Sequence, residues 1–344
     1  MHRLIAGVTI LEHELNELRL VVERQTGVLL DCPNSALAAH AADYMESHEL
    51  ESSAALLSRL RASDQDPSVV PGFLDGVVNV NTGFYRHPGA MNALAQHVMP
   101  QLYARKSEDG PATLRIWSAG CGTGEEAYSI AMALCEPAAA PVNGNGSGNG
   151  LRESKEKNSS NRGVALDGAS AVSKTKDWAV HIVGTDLLPG AIETAERGLY
   201  PQSALTGLPP AIIRACFSKI GNASGRDDVQ AVLNGNGSSN GNGAHLLVKP
   251  RLRSLVTFNT MNLTKPVYIG RFDCIFCMDV LPHLSRPQRV ALLERLHLYL
   301  EPGGYLFLSQ TEKLSAPNLN FRAETYDGYT MHRKPMAASA AYGR

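Results

Sequence analysis

Leu114–Glu126, LRIWSAGCGTGEE, decides the fold. Leu114–Ala119 reads as a strand. Glu125–Cys135 reads as a helix, with Ala127, Ile130, Ala131 and Leu134 at helical spacing. Between them Gly120, Gly122 and Gly124 stand at alternate positions, where a backbone without Cβ atoms turns tightly and lets a ligand come close. Such a loop is weak evidence for any one ligand, because dinucleotide enzymes use a similar one.

The next strand, Ala179–Thr185, shifts the balance. It runs into Asp186, in VGTDLLPGAI. A carboxylate at that strand end is placed to accept both hydroxyls of an adenosine ribose. The gap from Gly124 to Asp186 is far longer than the roughly 20 residues usual for this geometry. Residues 142–176 lie in the gap. They contain NGNGSGNG and a polar, Ser- and Lys-rich stretch, and cannot bury enough apolar surface to offset chain entropy. Read as a disordered insert, this segment leaves the two strands as neighbours in one sheet. Asn234–Gly243, NGNGSSNGNG, reads the same way.

The alternation continues. Pro189–Arg197 is a helix, Val256–Asn259 and Phe272–Cys277 are strands, and Pro287–Leu300 is a helix entered through a capping-box pattern, Ser285-Arg286-Pro287-Gln288. Glu301-Pro302-Gly303-Gly304 is a turn feeding a last strand, Tyr305–Ser309. This is an α/β pattern, a parallel sheet with helices on both faces, and its ligands bind beyond the carboxyl ends of the strands. Residues 1–75 carry helical patterns only, beginning with Leu11, Leu15, Leu18 and Val22 and continuing in Ala36–Leu50 and Ser53–Arg61.

The chemistry of the loop selects among ligands. Its spacing is G-x-G-x-G, not G-x-G-x-x-G, and Glu125 and Glu126 follow it. Two carboxylates at a helix start would repel a pyrophosphate. They suit S-adenosylmethionine, which carries an ammonium and a sulfonium. The alternative is that they only complement the helix dipole, a role that fits Glu125 even if Glu126 meets the ligand.

Composition sets the remaining bounds. A formal net charge of −1 argues against a protein held to nucleic acid by overall positive charge. No apolar run approaches the roughly 20 residues that span a bilayer, so no membrane insertion and a cytoplasmic location are expected. Cys274 and Cys277 form a C-x-x-C inside a strand, where residues three apart face opposite ways, so no metal site is expected there.

Taken together, NTGFYRHP, RIWSAGCGTGEEAYSIAMAL, GTDLLPGAIETAERGLYP, FNTMNL, GRFDCIFC and EPGGYLFLSQTEKL resemble the chemotaxis receptor methyltransferases of CheR type. These transfer a methyl group from S-adenosylmethionine to receptor glutamates. The resemblance implies an N-terminal all-helical domain (1–75) and a Rossmann-like methyltransferase domain (76–335) with a mixed, mostly parallel sheet. It also implies a small β-subdomain at 205–255, its tip at 234–243; residues 336–344 are expected to form a flexible tail. It carries Thr82, Arg86, Glu126, Asp186, Asn262 and Leu263 over to the cofactor, where the loop glycines Gly120, Gly122 and Gly124 and also Asp279 are expected. Arg86 and His283 are expected nearest the chemistry, His283 standing where the family has a tyrosine, either orienting an acceptor, acting as a base or simply solvated in its loop.

The departures fall on the acceptor side. The family's asparagine two positions before the threonine is Val80 here. Its Arg-Asn-Val-x-x-Tyr becomes Met278-Asp279-Val280-Leu281-Pro282-His283. Its arginine-rich second helix becomes SALAAHAADYMESHEL, without Lys or Arg, which would not attract an acidic receptor bundle. The expected function is therefore methyl transfer to a glutamate of a chemoreceptor-like or other signalling protein. A different acceptor, such as a small molecule, or a cofactor-binding module without turnover are the alternatives.

Overall fold

The computed structural model describes residues 10–62, 66, 68–78, 82–106, 113–135, 178–219, 245–267, 269–314, 316 and 318–336. Val80, both Gly-rich inserts and residues 337–344 of the tail lie outside them.

Helix α1 (Glu12–Thr26) buries Leu15, Leu18, Val21 and Val22 against α2 (Asn34–Ser47), α3 (Ser53–Arg61) and α4 (Val69–Leu74). Leu11, expected on that stripe, is instead the exposed residue preceding α1, while Val21 joins the buried face. Leu188 and Ala191, from the sheet region, complete the same core.

Helix α5 (Pro88–Ala93) passes through a π-helical turn, Leu94–Val98, into α6 (Met99–Lys106). The sheet then begins: β1 (Thr113–Ala119), α7 (Glu125–Cys135), β2 (Ala179–Asp186), α8 (Pro189–Arg197). A three-stranded antiparallel sheet follows, β3 (Leu199–Pro201), β4 (Phe217–Lys219) and β5 (His245–Val248), with α9 (Pro210–Cys216) between β3 and β4. After α10 (Pro250–Arg253) come β6 (Val256–Thr260), β7 (Phe272–Phe276), α11 (Arg286–Tyr299), β8 (Leu300–Phe307), β9 (Arg322–Tyr326) and β10 (Tyr329–Arg333).

The main sheet has seven strands in the order β6-β2-β1-β7-β8-β10-β9. The first five run parallel, and β10 and β9 are antiparallel, giving the expected mixed, mostly parallel sheet. The chain moves outward from β1 through β2 to β6, then returns to β7 on the other side of β1. That reversal makes the topological switch point at which such sheets bind ligands.

Three expectations need correction. The turn Glu301–Gly304 lies within β8, because an irregularity in the β7 pairing accommodates it: Phe272 faces Leu300, whereas Cys274 faces Tyr305. Gly303, at φ 75°, takes the left-handed backbone this requires. Helix α11 does start after Ser285, but that side chain makes no capping bond. The strand Phe272–Cys277 ends at Phe276. Cys274 and Cys277 are both buried and pack in the hydrophobic clusters on opposite faces of the sheet. Burial pushes both thiols up.

Candidate functional site

Strand register builds the site. Ala119 pairs with Thr185, Ser118 with Phe276, and Asp186 with Thr260. The segments beginning at Gly120, at Asp186, after Thr260 and after Phe276 therefore leave the sheet at one edge. Buried Trp117 donates to Thr185 Oγ1 at 2.9 Å and ties the two central strands together just below it.

Gly120, Gly122 and Gly124 have φ of 84°, 54° and 96°, all left-handed, which explains why glycine is needed at each. The N–H groups of Gly120 and Cys121 donate to Thr185 O at 2.8 and 2.9 Å. The Gly122 N–H donates to Asp186 Oδ2 at 2.9 Å, and Leu188 N–H donates to Asp186 Oδ1 at 3.0 Å. The carboxylate and the Gly-rich turn thus share one hydrogen-bonded unit. Burial pushes the Asp186 carboxyl up, against these backbone bonds.

A cavity of about 330 Å³ opens over this unit. Thr82, Arg86, Gly120, Gly122, Glu126, Asp186, Asn262, Leu263, Asp279 and His283 all line it. Gly124 does not. A Cβ there would come within 2.7 Å of the Ala195 Cβ and 3.0 Å of the Tyr200 hydroxyl, so this glycine serves the packing of the loop on α8 and β3. Glu125 is also absent from the lining and accepts from Thr123 Oγ1 at 2.7 Å.

Glu126 reaches the inner end of the cavity and accepts from Ser118 Oγ at 2.6 Å. Burial pushes its carboxyl up to about 8, and the charges of Asp279 and Glu312 add to the effect against the Ser118 bond. At the mouth, Asp279 Oδ2 is 2.9 Å from both Arg86 Nε and His87 Nε2. Burial disfavours the charged Asp279, but bonds from Arg86, His87 and Ser309 outweigh it and hold the carboxyl below its ordinary range. His283 is exposed in the turn that follows. Met278 is buried, with the Tyr329 hydroxyl 3.8 Å from its sulfur. Asn262 uses its Oδ1 to hold the Thr264 N–H and hydroxyl, both at 2.8 Å, in an Asx turn.

The end of α1 supplies a wall that the sequence did not reveal. Thr26 and Val28 line the cavity. Thr264 Oγ1 donates to Thr26 O at 2.9 Å, Leu29 N–H donates to His283 O at 2.8 Å, and Val28 bridges Leu284. Gly27, at φ 75°, lets the helix end approach Thr264; a Cβ there would meet Thr264 Cγ2 at 2.5 Å. His87, within NTGFYRHP, joins the site as well, a role for which its sequence position gives no separate signal.

The donor set fits S-adenosylmethionine. A cationic ligand beside Glu126, whose carboxyl is pushed up to about 8 by burial and by neighbouring negative charge, would favour its ionised form. Asp186 offers acceptor capacity at the strand edge, and Val28, Leu188, Met261 and Leu263 supply apolar surface for a base. With the mixed sheet and its switch point, this defines the class: an S-adenosylmethionine-dependent methyltransferase.

Comparison with known proteins narrows the class. The model of the CheR methyltransferase, SAM binding domain, matches residues 80–145 and 164–329, and the chain belongs to this family. It is 28% identical over 300 residues to Chemotaxis protein methyltransferase 1 of Pseudomonas aeruginosa, covering 86% of this chain and 89% of the relative. It is 27% identical over 305 residues to Chemotaxis protein methyltransferase Cher2 of Pseudomonas putida, covering 88% and 90%. An S-adenosylmethionine-bound amino pentose methyltransferase from Micromonospora echinaspora aligns at 13% identity over 76% of this chain and 73% of that chain, at a TM-score of 0.29. Among the described residues no helix is long and apolar enough to cross a membrane.

Proposed function

We propose that this chain methylates the side-chain carboxylate of a glutamate in a chemoreceptor-like or other signalling protein. The observation that supports the reading most is the convergence of Glu126, Asp186 and the turn Gly120–Gly122 on one cavity whose mouth carries Arg86 and His283. The curated relatives bear the name chemotaxis protein methyltransferase.

In this reading Asp186 accepts the ribose hydroxyls, Glu126 faces the cationic amino-acid end, and Asn262 and Leu263 flank the base. Thr82, Arg86 and Asp279 close the methionine side. The bound cofactor supplies a methyl group activated by a sulfonium. A glutamate acceptor is already ionised near neutral pH, so no residue need act as a general base. The work left to the protein is alignment of the acceptor oxygen and exclusion of water. His283 orients the acceptor at the rim, and Met278 forms apolar floor where the family has an arginine.

A second reading concerns the acceptor. Because Asp279 already pairs with Arg86 and His87, the mouth offers an anionic group less positive charge than an unpaired guanidinium would. This favours an acceptor other than a receptor carboxylate, including a small molecule. Transfer of a radiolabelled methyl group into cell lysate separates the two. Base-labile label in a protein band is the result expected from glutamate esters. Label confined to small molecules, or stable to base in protein, would reject the first reading.

A further inference from the structure

One carboxylate outside the cavity lining organises the loop within it. Glu312, three residues past Ser309, accepts backbone N–H groups from three positions. Asp279 N donates to Oε2 at 3.1 Å, Ser309 N to Oε2 at 2.9 Å, and Leu281 N to Oε1 at 2.9 Å. Asp279 has φ 59°, a left-handed backbone that persists in a non-glycine residue only where the surroundings over-determine it. Glu312 supplies that constraint directly, through the N–H of the same residue. The loop it fixes carries Met278, Asp279, Val280 and His283 into the cavity.

We infer that Glu312 is a positioning residue for cofactor binding, setting the loop from Met278 to Leu284 and adding fixed negative charge behind the cationic end of the site. The inference rests on the reading of the cleft as the S-adenosylmethionine site. The charge half has its own signature. The groups around Glu126 are Ser118 on β1, Cys121 in the Gly-rich turn, Cys277 and Asp279 after β7, Glu312, and Tyr329 on β10, with Arg86 and His87 beyond Asp279. Removing the Glu312 charge relieves part of the repulsion that raises Glu126.

Glu312→Gln and Glu312→Asp test this against the unaltered chain. The readouts are calorimetric affinity for S-adenosylmethionine across pH and amide exchange at Asp279 and Leu281. Glu312→Gln should weaken binding about tenfold, the scale of one lost charge-assisted hydrogen bond. It should also shift the pH midpoint of binding to lower pH. The ligand's own amino group titrates equally in both proteins and cancels in the difference. Glu312→Asp keeps the charge but shortens the reach, so the two amides should exchange faster while the midpoint stays in place. Unchanged affinity and unchanged exchange in both variants would overturn the inference while leaving the site reading intact. Failure of the unaltered folded chain to bind the cofactor would overturn both.

Discussion

Replacing Glu126 by Gln should stabilise the cofactor-free protein, and only at higher pH. The folded carboxyl titrates at about 8, against an ordinary value of 4.5. Below the ordinary value both folded and unfolded chains hold the proton, and the group contributes no pH dependence. Between the two values the unfolded chain releases its proton while the folded chain keeps it, so wild-type stability falls as pH rises. Above the folded value the penalty is constant. At about 1.4 kcal/mol per unit, the interval sets a ceiling of about 5 kcal/mol. Water entering the open cavity relieves part of this, so the expected difference is about 2–5 kcal/mol. Glutamine keeps an acceptor for Ser118 Oγ and has no such titration. Urea denaturation of both proteins without cofactor, at about pH 5 and about pH 8.5, reads the difference. A gap between variant and wild type that is equal at the two pH values would refute the reasoning. Saturating S-adenosylmethionine should then narrow the gap, since it stabilises most the protein that binds it more tightly. At a hundredfold excess over Kd the stabilisation is about 2.7 kcal/mol, enough to offset the lower part of the expected difference.

Two other substitutions probe different parts of the cleft. Asp279→Asn removes the carboxylate that Arg86 and His87 share, so at saturating cofactor the KM for a glutamate-bearing acceptor should fall several-fold; an unchanged KM would show that the charge at the mouth does not act on the acceptor. Gly124→Ala places a Cβ at φ 96° within 2.7 Å of Ala195 Cβ. It should cost about 2–4 kcal/mol in denaturation experiments while leaving cofactor affinity within about twofold, because the residue packs behind the cavity.

What the sequence disclosed, and what it hid, divides by the range of the interactions. Glu125–Cys135 and Pro189–Arg197 were readable to the residue because their limits are set by local glycines and proline. Asp186 was readable because a strand end followed by a proline-led helix fixes where its side chain emerges. Strand β8 is not legible in full because Glu301-Pro302-Gly303-Gly304 has turn chemistry, and only the partner β7 keeps the segment in the sheet. The β9–β10 hairpin does carry a local signal: Asp327 and Gly328, at φ 46° and 75°, form a turn of the type that joins antiparallel strands. Thr26 and Glu312 give no such signal, since Thr26 depends on a contact more than two hundred places away and Glu312 on contacts more than thirty places away.

The attachment of the first helix to the rim of the cleft has a practical consequence. A chain trimmed to begin after Leu74 would retain the sheet, the glycines and Asp186. It would lose Thr26 and Val28, and with them the anchors of the Thr264 and His283 segments. On the proposed placement of S-adenosylmethionine, the groove would then stand open to bulk water at its Thr26 wall. The helical portion would thus form part of the vessel for the cofactor, and its removal should be felt first in affinity for that cofactor rather than in choice of acceptor.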